Sequence, residues 1–269
     1  MLGAKAWRRG RTVGWPILFA AMVSVGGCGG TKSPDLALST SESRPLDPID
    51  DSGSALRLAR ATRSAGDLAS AIQIYRKLIA NNSAPAEIKV ELGDVLVESQ
   101  SPDDAIDIYS QVEAKAPARL GATLGLTRAY IALGEPAKAL DYADEARRLG
   151  PQDPRALVDR GVALDSLERH AEAQDCYRTV LAATPRHVSA RNDLALSLAL
   201  SGQYDEAIAI ISPLARSSSA TPRVRENMAV IYGLKGDAEN AAIVSRADLD
   251  DDATKDNLAF LAAVRATTP

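Results

Sequence analysis

This sequence of 269 residues predicts an all-α solenoid: about six helix–turn–helix units with a closing helix at the C-terminal end. Three observations carry that expectation. Alanine recurs at 71, 105, 139, 173, 207 and 241, six times at intervals of 34 residues without a slip. Other positions keep the same period. Twelve residues earlier stand Ala59, Gly93, Thr127, Gly161, Ala195 and Ala229, and four residues later Tyr75, Tyr109, Ala143, Tyr177, Ile211 and Ser245. Finally, the chain is 46% hydrophobic but only 4% aromatic, a balance that suits closely packed helices rich in Ala and Leu.

The units divide as 52–85, 86–119, 120–153, 154–187, 188–221 and 222–251. Small residues at the eighth and twentieth positions of a unit let its two helices approach closely. Five residues before each periodic alanine comes a loop residue: Gly66, Gln100, Gly134, Glu168, Gly202 and Gly236. The glycines suit the left-handed conformation that ends a helix. Pro117, Pro151 and Pro185 close three units, because proline cannot continue a helix. After the sixth unit, "RENMAVIY" is echoed 30 residues on by "KDNLAFLA", which aligns Asn227 with Asn257 and predicts a helix over 253–265. It would cap a stack whose units bury apolar surface only against neighbours.

This pattern resembles the tetratricopeptide repeat, a 34-residue helix–turn–helix with small residues at positions eight and twenty, Gly at fifteen, an aromatic at twenty-four and Pro at thirty-two. The third and fourth units match it best, and the first two depart most, with Ser83 and Gln100 where Pro and Gly are usual.

The N-terminus reads as an address. Lys5, Arg8, Arg9 and Arg11 form a basic head, and 13–25 is a mostly apolar run about half the length needed to cross a bilayer. The run ends in Val25-Gly26-Gly27-Cys28, which resembles a bacterial lipobox. That resemblance implies a lipoprotein signal peptide over 1–27 and a diacylglycerol on Cys28. An ordinary secretory leader cut nearby is the other reading, and it leaves Cys28 a free thiol. Segment 28–51, rich in Gly, Ser, Pro and Asp, reads as a flexible tether, and the repeat domain follows over 52–269. Gly29 after the cysteine, where Asp would resemble an inner-membrane retention signal, favours the periplasmic face of the outer membrane.

Without the leader, the 31 basic residues fall to 27 against 35 acidic ones, a net charge of −8. That argues against nucleic acid as a partner. Cys176, on an apolar helix face, reads as a small core residue. His170, in the turn of the fourth unit, and His187, at a unit end, have no partner at metal spacing and read as solvated. No catalytic cluster and no phosphate loop is present in the pattern. The expectation is a protein that is no enzyme, with no cofactor, no metal and no small-molecule substrate.

A binding surface remains. The family resemblance implies that the first helix of each unit lines a concave groove with its positions two, five, nine, twelve and thirteen. The residues expected to bind a partner there are Arg128, Asp165, Asn192, Leu196, Leu200, Arg223, Asn227 and Val230. A helix or an extended peptide would lie there. The competing view of the same residues is an ordinary solvated face. No unit has the Lys at five with Asn at nine that a carboxylate clamp requires; position five is Leu56, Val90, Leu124, Val158, Asn192 and Glu226.

The second half carries a narrower likeness. "SATPRVRENMAVIYGLKGD", "SRADL" and "DNLAFL" resemble the TadD family, tetratricopeptide lipoproteins of tight-adherence (Flp) pilus assembly. This resemblance covers about 154–265. It implies a lipid-anchored scaffold that binds a pilus component, the secretin foremost, at the outer membrane. The alternative is a similar lipoprotein of another envelope system, such as exopolysaccharide export or outer-membrane protein assembly.

Overall fold

The computed structural model describes residues 51–80 and 84–267; the expected leader, Cys28 and the expected tether up to residue 50 lie outside them. Each period folds as two helices joined by a tight turn. The pairs are α1 (Asp51–Ser64) with α2 (Leu68–Ile79), α3 (Ala86–Glu98) with α4 (Pro102–Ser110), and α5 (Arg119–Ala132) with α6 (Pro136–Leu149). Then come α7 (Pro154–Asp165) with α8 (His170–Ala183), α9 (Val188–Leu200) with α10 (Tyr204–Ala215), α11 (Pro222–Lys235) with α12 (Ala238–Ser245), and finally α13 (Asp251–Thr267). The first helix thus starts one residue earlier than the boundary read from the period.

All six turn positions adopt the left-handed conformation. Gly66, Gly134, Gly202 and Gly236 have φ of 73–89°, and Gln100 and Glu168 follow them at 60°. A residue with a Cβ is strained there by about 1–2 kcal/mol. Replacing Glu168 or Gln100 by glycine is therefore expected to stabilise the domain, by about 1 kcal/mol after the extra entropy of glycine in the unfolded chain. Urea unfolding checks this, and a lower midpoint would contradict it. Proline starts α4, α6, α7 and α11, where the missing N–H has no helical partner to lose.

The core follows the period closely. Every alanine of the 34-residue series is fully buried, as are Ala59, Thr127, Ala195 and Ala229 twelve residues before. Tyr75, Tyr109 and Tyr177 fill the space between helices, with no more than 1% of their surface exposed. Successive second helices have no comparable contact with each other among the described residues. From α3 onward, however, each first helix touches the first helix of the next unit as well as both neighbouring second helices. The first helices thus form the more tightly spaced layer, and their free side is the inner face of the stack.

α13 packs on α11 and α12 as the first helix of a further unit would. Leu261 is buried against Gly233, where an added Cβ would lie 2.7 Å from its Cδ1. The amide of Asn257 donates to Ser245 Oγ at 3.2 Å. No described helix is long and apolar enough to cross a membrane.

Candidate functional site

The inner face is organised by side chains about one period apart, each reaching to the next first helix. Arg60 on α1 forks onto Glu91 on α3, and Arg63 forks onto Glu98. Arg128 on α5 donates to Asp94 on α3 at 3.1 Å and approaches Asp159 on α7 to 3.9 Å. Ser197 on α9 donates to Asp165 on α7 at 2.6 Å, and Asn227 on α11 donates to Asn192 on α9 at 3.1 Å. Interactions of this kind, repeated along the stack, tie the inner helices from α1 to α11 each to the next.

The buried tyrosines reach the same layer from behind. Tyr75 donates its hydroxyl to Glu91 at 2.8 Å, Tyr109 to Asp94 at 2.7 Å, and Tyr177 to Asp165 at 2.9 Å. Burial, helped by these carboxylates, raises each phenol above its ordinary range, Tyr75 to about 12, so all three remain donors at neutral pH. The carboxylates are thereby fixed at the inner surface by bonds from the core.

Asp165 shows how dense this network is. Besides Tyr177 and Ser197, it meets Nδ1 of His170 at 2.8 Å. His170, expected in solvent, is instead mostly buried, because α8 begins directly beneath the end of α7 and sets the ring against that carboxylate. Ser197, Asp165 and His170 do not form a nucleophilic triad. The hydroxyl donates to the carboxylate, not to the imidazole, and Ser197 is fully buried. His187 caps α9 by accepting from the Ala190 N–H at 3.1 Å, which requires Nδ1 to be unprotonated. Cys176 is buried, with a guanidinium nitrogen of Arg160 3.2 Å from its sulfur.

Two further carboxylates, Asp159 on α7 and Asp193 on α9, occupy the sixth position of their units. Asp193 accepts from Ser189 and from the amide of Asn192. Burial raises its pKa, and Arg223 offsets part of this. Among the described residues Asp159 has no hydrogen bond, only the approach of Arg128, and its side chain is 16% exposed. Burial is the main reason that its pKa stands at about 7, with Asp193 adding repulsion and Arg128 acting against both. A carboxyl raised in the folded state makes stability greatest below its unfolded pKa, near 4. That contribution is lost as pH rises through about 7. Asp159→Asn is expected to stabilise the domain at pH 8, on the order of 2–4 kcal/mol, and to flatten the fall in stability between pH 4 and 7. Thermal melts across that range test it; an unchanged pH profile would contradict the account.

The predicted site residues do not all lie on the open surface. Arg128 and Arg223 are exposed, and Asp165, Leu200, Asn227 and Val230 are half-buried at the inner face. Asn192 and Leu196 are buried, at 3% and 9% exposure, and so are Leu124 and Val158, which hold the fifth position of their own units. The cause is the close contact of α9 with α7 on one side and α11 on the other, which encloses positions five and nine. Leu196 instead walls a crevice between the fourth and fifth units, together with Val162, Asp165, Tyr177, Asp193 and Leu200. The inner face is thus more polar than its sequence positions imply. The sixth-position carboxylates Glu91, Asp159 and Asp193 were missed, although they share one 34-residue register.

A stack of helical hairpins with such an inner face defines a repeat scaffold. Two tetratricopeptide-repeat family models match, one over 96–157 and the other over 56–119 and 158–222. The chain belongs to the tetratricopeptide-repeat family, whose domains mediate protein–protein interactions. An uncharacterized protein of Sinorhizobium fredii is 34% identical over 90 residues, which are 34% of this chain and 50% of that protein. The cellulose synthase 2 operon protein C of Komagataeibacter xylinus is 27% identical over 220 residues, 77% of this chain but 17% of that protein. The chain therefore spans half the length of the first relative and a small part of the second.

Among solved structures, a tetratricopeptide-repeat protein of Parabacteroides merdae superposes with a TM-score of 0.67 at 16% identity, covering 80% of this chain and 85% of that one. A thermophilic repeat protein of Thermus thermophilus gives 0.60 at 21% identity, over 67% and 98%. At these identities the likeness is one of fold.

Proposed function

We propose that this protein is a lipid-anchored scaffold of the bacterial envelope, whose inner face receives a segment of a protein partner. The observation that carries this reading is the inner layer of carboxylates and guanidinium groups. It is fixed from the core by Tyr75, Tyr109 and Tyr177 and remains reachable from outside. Rigid presentation of polar groups lowers the ordering cost of binding. The anchor would be a diacylglycerol on Cys28, and the place the periplasmic side of the outer membrane. The partner would be the secretin of a tight-adherence pilus, on the strength of the likeness over 154–265. In this reading the protein positions its partner and performs no chemistry.

Two experiments test it. Radioactive fatty acid should label the wild-type protein, whereas Cys28→Ser should be unlabelled and lost from the membrane; equal labelling would sink the anchor. Deleting the gene should deplete the secretin from outer-membrane fractions and abolish pili. Intact secretin and pili would remove the pilus assignment. A second reading, a scaffold for exopolysaccharide export, is favoured by the relative encoded in a cellulose synthase operon. It would be upheld by loss of polymer secretion in the same deletion strain.

A further inference from the structure

The crevice between the fourth and fifth units is unlike the rest of the inner face. Its walls are mostly apolar, from Val162, Leu196, Leu200 and the ring of Tyr177, yet two carboxylates, Asp165 and Asp193, also line it. Its enclosed part has room for about one water-sized group. Asp165 is held by Tyr177, Ser197 and His170, whereas Asp193 takes one hydrogen bond from Ser189 and one from Asn192. A carboxylate offers about four acceptor sites, so Asp193 keeps capacity for further donors.

The surroundings are negative. Asp159 and Asp165 both bear electrostatically on this part of the face, and Glu226 lies on the next first helix. Of the nearby basic groups, Arg128 is shared between Asp94 and Asp159, and Arg155 forks onto Asp153. Arg223 acts on Asp193 and on Glu226 together. A visiting cation would relieve the mutual repulsion of these carboxylates.

We propose that this crevice receives a lysine side chain of the partner segment, with its methylene stem along Leu196 and Leu200 and its ammonium toward Asp165 and Asp193. The inference rests on the reading that the inner face binds a protein segment. Lysine fits for two reasons. Its long apolar stem suits the walls. Its compact ammonium, with three donors, suits a space of one water better than the planar guanidinium of arginine.

The test uses the full chain in detergent, carrying 13C-labelled leucine and valine methyls, at pH 8. The probe is n-butylammonium, compared with n-butylguanidinium and 1-butanol. Saturable shifts of the Leu196 and Leu200 methyls are expected with butylammonium, at least fivefold weaker binding with butylguanidinium, and none with butanol. Asp193→Asn, with its circular dichroism unchanged, should weaken butylammonium binding at least tenfold. Should Asp193→Asn fail to fold, Leu200→Phe, which fills the crevice and keeps both carboxylates, should abolish the shift at Leu196. Equal shifts with all three probes, or butylammonium binding that survives the folded variant, would overturn the proposal. Partner crosslinking from the inner face without butylammonium binding would overturn this inference alone and leave the scaffold reading in place. Butylammonium binding with no partner at the inner face would overturn that reading instead.

Discussion

Ala173→Asp is expected to destabilise the repeat domain by more than about 3 kcal/mol, enough to unfold its central units at 37 °C. Ala173 is fully buried on α8, in the same core cluster as Leu164, Tyr177, Ala190 and Leu194. An aspartate there has no basic partner within the cluster, and its carboxylate would stay unpaired in an apolar interior. Units in such a stack touch only their neighbours, so the loss should begin in the fourth unit and spread outward. Hydrogen exchange would show protection falling first in α7, α8 and α9. An unchanged melting curve would mean that the contact around Ala173 is not as close as described.

Gly125→Ala is expected to cost about 1–3 kcal/mol, the range for forcing one extra methyl group into a packed interior. The ring of Tyr109, on α4, lies between Gly93 on α3 and Gly125 on α5, and a Cβ built at either glycine would overlap its atoms. That ring cannot swing away freely. It is fully buried, and its hydroxyl is tied to Asp94. The signature is therefore a coupling: in a Tyr109→Ala background the cost of Gly125→Ala should shrink by at least about 1 kcal/mol. An undiminished cost in that background would show that something other than the tyrosine ring excludes the methyl group.

Gly125 also shows what the sequence reading could and could not reach. The period singled out Gly93 at the eighth position, and the structure gives the reason in the Tyr109 ring. Gly125 occupies the sixth position, where the fourth and fifth units carry Asp159 and Asp193. No periodic signal marked it, since its constraint comes from the preceding unit. The turn positions were legible even where glycine is missing: the register alone placed Gln100 and Glu168 in turns, and both adopt positive φ. The closing helix was legible from the echo of Asn227 at Asn257. The inner face was less so. A charged residue in an inner helix reads as solvated, and only the approach of the neighbouring helix shows that Asp193 is enclosed. The same closeness buries Asn192 and Leu196, which positions shared by the whole family would leave open. The pairing of His170 with Asp165 depends on how α8 meets α7, which no spacing along the chain reveals.

The central claim is that the inner face, and not the outer one, holds a partner. It is tested most directly by crosslinking in living cells, with the photoreactive residue p-benzoylphenylalanine placed at Arg223, Leu200 or Val230 on the inner helices. Arg178 and Glu206, both exposed on second helices, serve as the comparison. The account predicts one discrete crosslinked envelope protein from the inner positions and none from the outer ones. Crosslinks of equal yield from Arg178 or Glu206, or none from the inner helices in cells where the protein is functional, would contradict it.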